Sequence, residues 1–332
     1  MHFHTTLLLV EVGEGELAEV DFMRKYSAII TQALHVTQKK GRLEILIVNP
    51  PERFVTLHYY IARLYVLAGR IGRDSEIDVR VLMEGVGGFE VRSASQRGWE
   101  AVAVCQEDEK LIPLFVEENH RSREGSLQIV IFPMRNQEIV DEEISDGERI
   151  IEDRDIDTNV EEEEEQGLEG EYPSVAVGGT FDHLHEGHKI LLTMSGFICG
   201  QKLVIGVTGE KLLKNKAYKE FLEPYETRSD KVLEFVHSVF PALQATTHEL
   251  EDVYGGAVRI AELEALVCSE ETRQGAIAVN EERRRRGLKS LCLWAVGLVQ
   301  GEDGLDKLGS TAIRRRLSEK QSLKQRQGEG QA

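Results

Sequence analysis

Val177-Gly178-Gly179-Thr180-Phe181-Asp182-His183-Leu184-His185-Glu186-Gly187-His188-Lys189 is the stretch on which the reading of this chain turns. Before it, Val175-Ala176-Val177 predicts a short strand. After it, Ile190, Leu191, Met194 and Phe197 fall at helical spacing and predict a helix over Lys189 to Ile198. Gly178 and Gly179 let the backbone come close to a ligand. Thr180 offers a hydroxyl and a backbone N–H. His185 and His188, spaced i, i+3 at a helix entry, project to one side. A helix N-terminus adds free N–H groups and partial positive charge, both suited to phosphate. A strand–loop–helix junction is also where an open α/β sheet places its ligand. The stretch therefore reads as a cradle for a nucleotide triphosphate. As a metal site the H-x-x-H pair is weak, because no third and fourth ligand lies at suitable spacing; no protein-held metal is expected.

Further along, Leu203 to Val207 predicts a strand, Ser229 to Val239 a helix, Ala265 to Val267 a strand, Gly275 to Arg286 a helix and Leu291 to Leu298 a strand. Such alternation predicts a mostly parallel sheet covered on both faces. The first part of the chain reads as a second, smaller α/β domain. Leu7 to Val10, Leu43 to Val48, Ile77 to Leu82, Trp99 to Val104 and Leu127 to Phe132 are strand candidates. Residues 54 to 68 have helical apolar spacing and stop near Gly69. No phosphate loop, metal cluster or nucleophile–base pattern stands out in that half. Asn49-Pro50-Pro51 reads as a strand-ending turn.

Between the halves, Glu138 to Glu171 holds 17 acidic and 2 basic residues, so it carries most of the net charge of −18. With few large apolar groups it cannot offset its ordering entropy, and it reads as a disordered linker. The acidity excludes broad nucleic-acid binding, which needs basic surface. No apolar run approaches the roughly 20 residues that span a bilayer. The start of the chain lacks a basic region before its short apolar run, so it reads as a strand and not as a targeting peptide. Cys105, Cys199, Cys268 and Cys292 are far apart. That spacing points to a reducing compartment, and the expectation is a cytoplasmic protein with some nuclear protein besides.

The opening stretch resembles the GTFDxxHxGH fingerprint of the cytidylyltransferase-like nucleotidyltransferase superfamily, at Gly179, Thr180, Phe181, Asp182, His185, Gly187 and His188. Lys307-Leu308-Gly309-Ser310-Thr311-Ala312-Ile313-Arg314 resembles the (K)ISSTxxR element that closes the triphosphate site of that fold, with Gly309 where the first Ser usually stands. Val267-Cys268-Ser269-Glu270-Glu271-Thr272, then Gly275 and Asn280, is similar to the VSxET…G…N segment of the eukaryotic phosphopantetheine adenylyltransferases. Lys211-Leu-Leu-Lys214-Asn-Lys216 and Leu222-Glu-Pro-Tyr225-Glu-Thr-Arg228 resemble the lysine loop and Y-x-x-R helix start of that family. The resemblance covers 173 to 318 and says nothing about 1 to 137; long N-terminal extensions occur in its fungal members.

The resemblance implies a Rossmann-like nucleotidyltransferase domain over 172–320. The smaller α/β domain, 1–137, and the linker, 138–171, precede it, and a disordered tail, 321–332, follows. It implies transfer of AMP from ATP to 4′-phosphopantetheine, giving dephospho-coenzyme A and pyrophosphate, one step of coenzyme A synthesis. By resemblance His188 and His185 act on the phosphates, Lys214 or Lys216 bridges the two phosphates that meet, and Thr180 holds the acceptor or orients the α-phosphate. Ser310, Thr311 and Arg314 bind the β,γ end. Gly178, Gly179, Phe181, Asp182, Gly187, Glu271 and Thr272 complete the ATP site. Magnesium is expected on the triphosphate without a protein cage. Association with other enzymes of coenzyme A synthesis is a further expectation. The rival readings are a nicotinamide-mononucleotide adenylyltransferase, a cytidylyltransferase or a non-catalytic nucleotide-binding scaffold. The VSEET segment favours phosphopantetheine, and an RTEGISTS-like cytidylyltransferase element is missing. The G-x-x-x-x-G-K-[ST] loop that a kinase step would need is also missing.

Overall fold

The structure, a computed structural model, describes residues 2–12, 19–72, 75–91, 97–113, 127–132, 168–297 and 309–329. The chain divides into two compact units, Met1–Glu169 with Val239–Ala242 and Gly170–Ser238 with Leu243–Ala332. Each unit holds a five-stranded parallel sheet.

In the first unit the elements are β1 (Phe3–Val10), α1 (Glu19–Val36), β2 (Thr37–Ile47), α2 (Phe54–Ile71), β3 (Asp78–Met83), β4 (Ala101–Cys105) and β5 (Gln128–Phe132), in the sheet order β3-β2-β1-β4-β5. Leu7 to Val10 and Ile45 to Ile47 are fully buried, as expected of parallel strands covered on both faces. No helix is expected from the sequence before β2, yet α1 stands there, and its buried Phe22, Tyr26, Ile29, Ile30 and Ala33 trace a single helical face. Glu44 is buried in the middle of β2 because Arg97 Nη1 and Trp99 Nε1 each donate to its carboxylate at 2.7 Å. The acidic segment expected as a linker lies outside the described residues up to position 167.

The second unit contains β6 (Tyr172–Gly179), α3 (Glu186–Phe197), β7 (Cys199–Thr208), α4 (Tyr225–Val239), β8 (Gln244–Leu250), β9 (Ala265–Ser269), α5 (Arg273–Arg285), β10 (Cys292–Val296) and α6 (Ser310–Glu329). Its sheet order is β10-β9-β6-β7-β8. The chain steps outward from β6 through β7 to β8, then returns to lay β9 on the other side of β6. The order reverses between β6 and β9, and such a switch point opens a crevice at the carboxyl ends of the strands. The loop after Gly179 leaves β6 at that crevice, and Glu270 to Thr272 leave β9 there.

Two elements differ from the sequence expectation. β8, Gln-Ala-Thr-Thr-His-Glu-Leu, has no apolar pattern because it is an edge strand, paired on one side to β7 and partly exposed. The final helix, α6, runs to Glu329 through positions expected to form a disordered tail. The expected end of the last strand at Leu298 lies outside the described residues; β10 ends at Val296. Among the described residues no helix is long and apolar enough to cross a membrane.

One side chain fixes how the last strand begins. Asn280 on α5 donates from Nδ2 to the Leu291 carbonyl at 2.8 Å and accepts from the Leu291 N–H at 2.8 Å. Both backbone groups of one residue are thereby satisfied by a single amide, which explains why an amide stands there. Asn280→Ala is expected to cost about 2 kcal/mol, since it leaves a donor and an acceptor unpaired. Urea unfolding followed by the fluorescence of Trp294, on β10, measures it. A midpoint unchanged from the parent would mean that the amide bridge holds nothing.

Candidate active site

The loop from Gly179 to His183 is strained and held down. Phe181 and His183 have φ values of 52° and 51°, the left-handed region that bulky residues avoid. Each such residue costs on the order of 1–3 kcal/mol and persists only where its surroundings over-determine it. Here they do. Thr208 Oγ1, at the end of β7, donates to the Gly179 carbonyl at 3.0 Å. Arg228 Nη1, on α4, donates to the Thr180 carbonyl at 2.6 Å. Ser310 Oγ, at the start of α6, donates to the Asp182 carbonyl at 2.9 Å. The His183 N–H donates to Glu223 Oε2 at 2.8 Å, and His183 Nε2 lies 2.8 Å from the Phe221 carbonyl oxygen.

Phe181 is fully buried. A side chain at Gly179 would bring its Cβ within 3.0 Å of the Phe181 ring, so the ring folds under a position that only glycine leaves open. Asp182 is also fully buried. Its Oδ1 accepts from the Glu223 N–H at 2.9 Å, and its Oδ2 is ion-paired with Arg314 Nη1. Arg314 is buried too. Its Nε donates to the Ala217 carbonyl at 3.0 Å and its Nη2 to Thr311 Oγ1 at 3.1 Å.

These placements show what each residue expected at the ATP site touches within the protein. Phe181 is a core anchor, and Asp182 and Arg314 neutralise each other inside the protein. Each of the three guanidinium nitrogens of Arg314 has one protein acceptor. Thr272 is likewise occupied: its Oγ1 accepts from the Ser269 N–H at 3.1 Å and donates to the Ser269 carbonyl at 3.1 Å, closing the turn after β9. Glu271 is exposed on the same turn. Lys214 and Lys216 are exposed on the turn after β7, joined to the rest of the site through the neighbouring Ala217 carbonyl and Arg314. Gly178 is exposed at the end of β6, Gly187 lies in the first turn of α3, and Thr311 is exposed in the first turn of α6.

His185 and His188 do come together. His185 sits at the start of α3 in extended backbone conformation, and its carbonyl accepts the Lys189 N–H at 3.1 Å. The two imidazoles stack with centroids 3.8 Å apart, and His188 tilts against Phe181 at 5.3 Å. The Nδ1 atoms of both rings are shut off from solvent and have no protein partner. Burial holds the His185 pKa down to about 4, against an opposing pull from Asp182. Burial drives the His188 pKa well below the usual imidazole value, and His185 beside it acts in the same direction. Both rings are therefore neutral at pH 7 and offer directed N–H groups and lone pairs to a ligand.

Three residues of the site carried a signal in the sequence to which no role had been attached. Glu223 and Arg228 stand in the Leu222 to Arg228 segment whose pattern was noted, and Thr208 ends the strand beside it. Polar residue types alone do not show that they point back at loop carbonyls.

A parallel α/β domain with this loop at its switch point is of the nucleotidyltransferase class. The family described as cytidylyltransferase-like matches residues 176–301. The phosphopantetheine adenylyltransferase of Thermococcus gammatolerans is 42% identical over 146 residues, 43% of this chain and 88% of that protein. The phosphopantetheine adenylyltransferase of Saccharomyces cerevisiae is 47% identical over 145 residues, 43% of this chain and 48% of that protein. An uncharacterized protein of Schizosaccharomyces pombe is 40% identical over 165 residues, 48% of this chain and 52% of that protein. The chain thus spans about half the length of the Saccharomyces and Schizosaccharomyces relatives. Through its C-terminal half, the chain belongs to the phosphopantetheine adenylyltransferase family.

The histidine pair makes stability depend on pH. In the unfolded chain each ring takes up a proton near pH 6.5, the ordinary value. In the folded chain His185 stays neutral down to about pH 4, and burial holds the His188 pKa well below its ordinary value. Below pH 6.5 the unfolded state therefore binds more protons, and stability falls as pH drops. Urea midpoints measured at pH 7, 6 and 5 should decline more steeply in the parent than in His185→Gln/His188→Gln. Equal slopes would show that the rings titrate normally in the folded protein.

Proposed function

We propose that the second unit transfers AMP from ATP to 4′-phosphopantetheine, yielding dephospho-coenzyme A and pyrophosphate. The observation that carries this reading is the pinned loop beside the stacked histidines at the switch point. In a planar trans peptide the C=O and N–H point opposite ways. With the Gly179 and Thr180 carbonyls held by Thr208 and Arg228, the Thr180 and Phe181 N–H groups point the opposite way along their peptide planes. Neither has a protein partner among the described residues. Successive free N–H groups of this kind form an anion-binding concavity. The Thr180 hydroxyl and the two imidazoles border it. The family's other members and the order of motifs along the chain support the choice of donor and acceptor.

In the proposed reaction an oxygen of the acceptor's phosphate attacks the α-phosphorus of ATP. The bond from that phosphorus to the oxygen bridging to the β-phosphate breaks, and pyrophosphate leaves with the bonding electrons. A phosphate is already an adequate nucleophile, so catalysis consists of positioning and charge stabilisation. His188 and His185 donate to the α-phosphate as charge builds, with Thr180 beside them. Lys214 or Lys216, exposed and unconstrained by the fold, reaches the two phosphates that meet. Ser310 and Thr311 bring the N-terminus of α6 to the departing pyrophosphate, where free N–H groups suit an anion. Arg314 contributes by holding the loop.

Among the described residues, Asp182, His183 and Glu223 have ligand atoms within 4.8 Å of one another. Asp182 is committed to Arg314 and the Glu223 N–H, and Glu223 to Lys231 and the His183 N–H. That set does not fit a metal ion. Magnesium is proposed to arrive on the nucleotide, and no step runs through a protein-held ion.

Purified protein with magnesium and ATP or CTP should be supplied in turn with phosphopantetheine, unphosphorylated pantetheine, nicotinamide mononucleotide and phosphocholine. Pyrophosphate should appear with ATP and phosphopantetheine. Preference for either of the last two acceptors would move the chain to another branch of the superfamily, and no pyrophosphate at all would favour a non-catalytic nucleotide-binding protein. His188→Ala should lower turnover by about 10²–10³-fold, the usual loss of one preorganised donor. Turnover within a few-fold of the parent would remove His188 from the reaction.

A further inference from the structure

Arg228 is fully buried, yet among the described residues it makes no direct ion pair, Asp182 and Glu223 favouring its charge only from a distance. It lies in the first turn of α4, where its own N–H bonds the Pro224 carbonyl at 3.1 Å. Its side chain solvates two carbonyls, Glu223 through Nε at 3.0 Å and Thr180 through Nη1 at 2.6 Å. Its Nη2 is buried with no partner. A guanidinium kept dry, charged and incompletely paired is a costly way to fill space, and an apolar side chain would pack there at less cost. A buried donor left unsatisfied calls for an explanation of its own.

The explanation lies in what Nη1 holds. The Thr180–Phe181 peptide precedes a residue at φ 52°, a backbone conformation that phenylalanine does not keep unaided. Turning the Thr180 carbonyl toward Arg228 sends the Phe181 N–H the opposite way. Thr208 does the same for the preceding peptide, fixing the Thr180 N–H. We propose that Arg228 is a positioning residue for adenylyl transfer: by gripping the Thr180 carbonyl, together with Thr208 on the Gly179 carbonyl, it aims two successive backbone N–H groups at the reacting phosphate without touching the substrate. The two side chains reach the loop from different elements, α4 and β7, and act on adjacent peptide planes. Each is needed, because releasing one plane lets the strained loop relax and misdirects the other. This inference rests on the adenylyl-transfer reading.

The test is a kinetic cycle on the full chain, with pyrophosphate release followed against ATP and phosphopantetheine. Variants are Arg228→Met, Arg228→Lys, Thr208→Val and the double Arg228→Met/Thr208→Val, with circular dichroism melts to show folding. Arg228→Met should lower kcat by about 10²-fold, the effect of a small misplacement, with the KM for ATP within about three-fold of the parent. Arg228→Lys retains the charge and one directed donor, and should recover about ten-fold of that loss; it also carries the test if the methionine variant does not fold. The double variant should be no more than about three-fold worse than the poorer single, because both act on one loop. If the losses multiply, or if KM rises while kcat is unchanged, Arg228 acts elsewhere and the inference fails. If Arg228→Lys is no better than Arg228→Met, the guanidinium is not gripping the loop through a directed donor. A parent chain that releases no pyrophosphate overturns the adenylyl-transfer reading itself, and this inference with it.

Discussion

The site depends on the buried ion pair between Asp182 and Arg314, which joins the loop after β6 to α6 across 132 positions of chain. Burying either charge alone would be prohibitive, and removing one partner from such a pair typically costs about 3–5 kcal/mol. Both groups here are also satisfied beyond the pair. Asp182 accepts the Glu223 N–H, and Arg314 donates to Ala217 and Thr311. The turn bearing Lys214 and Lys216, the approach to α4 and the start of α6 are thus anchored to one carboxylate. A permanently charged, planar, forked side chain suits this task better than lysine, whose single ammonium cannot reach three acceptors in fixed directions.

With those charges spent on each other, the proposed phosphate cradle is built mainly from dipoles. The Thr180 and Phe181 N–H groups lie opposite carbonyls that Thr208 and Arg228 hold, and burial keeps the imidazoles of His185 and His188 neutral. Preorganised dipoles in a dry site stabilise developing charge without reorganising during the reaction. Lys214 and Lys216 are exposed on the turn after β7. The strong acidity of the chain does not oppose this arrangement, since most of it is concentrated between Glu138 and Glu171.

Much of this was legible in the sequence. The parallel α/β architecture followed from short apolar runs alternating with helical periods, and the strand–loop–helix junction at the switch point from Gly179 to His188. Elements were missed where the usual pattern fails or was overlooked. β8 is a polar edge strand whose partner supplies what its own residues lack. The helical face of α1 was present in the spacing of Phe22, Tyr26, Ile29 and Ala33 and was passed over. Individual roles were less legible than the site. Asp182, Arg314 and Thr272 are the residue types that bind phosphates and metals, and a linear pattern does not say whether such a group faces a ligand or another part of the chain. The structure turns Asp182 and Arg314 inward, and commits Thr272, which stays exposed, to the backbone of Ser269. It also brings forward Arg228, Thr208 and Glu223, which act on backbone groups: the Leu222 to Arg228 pattern marks two of them, but no pattern shows which carbonyl or N–H each one holds.

The most direct measurement is a crystal structure of the full chain with magnesium and a non-hydrolysable ATP analogue. The account predicts phosphate oxygens within hydrogen-bond distance of the Thr180 and Phe181 N–H groups and of His188, while Arg314 stays on Asp182. An Arg314 side chain turned onto the β,γ-phosphates, with Asp182 released, would contradict it.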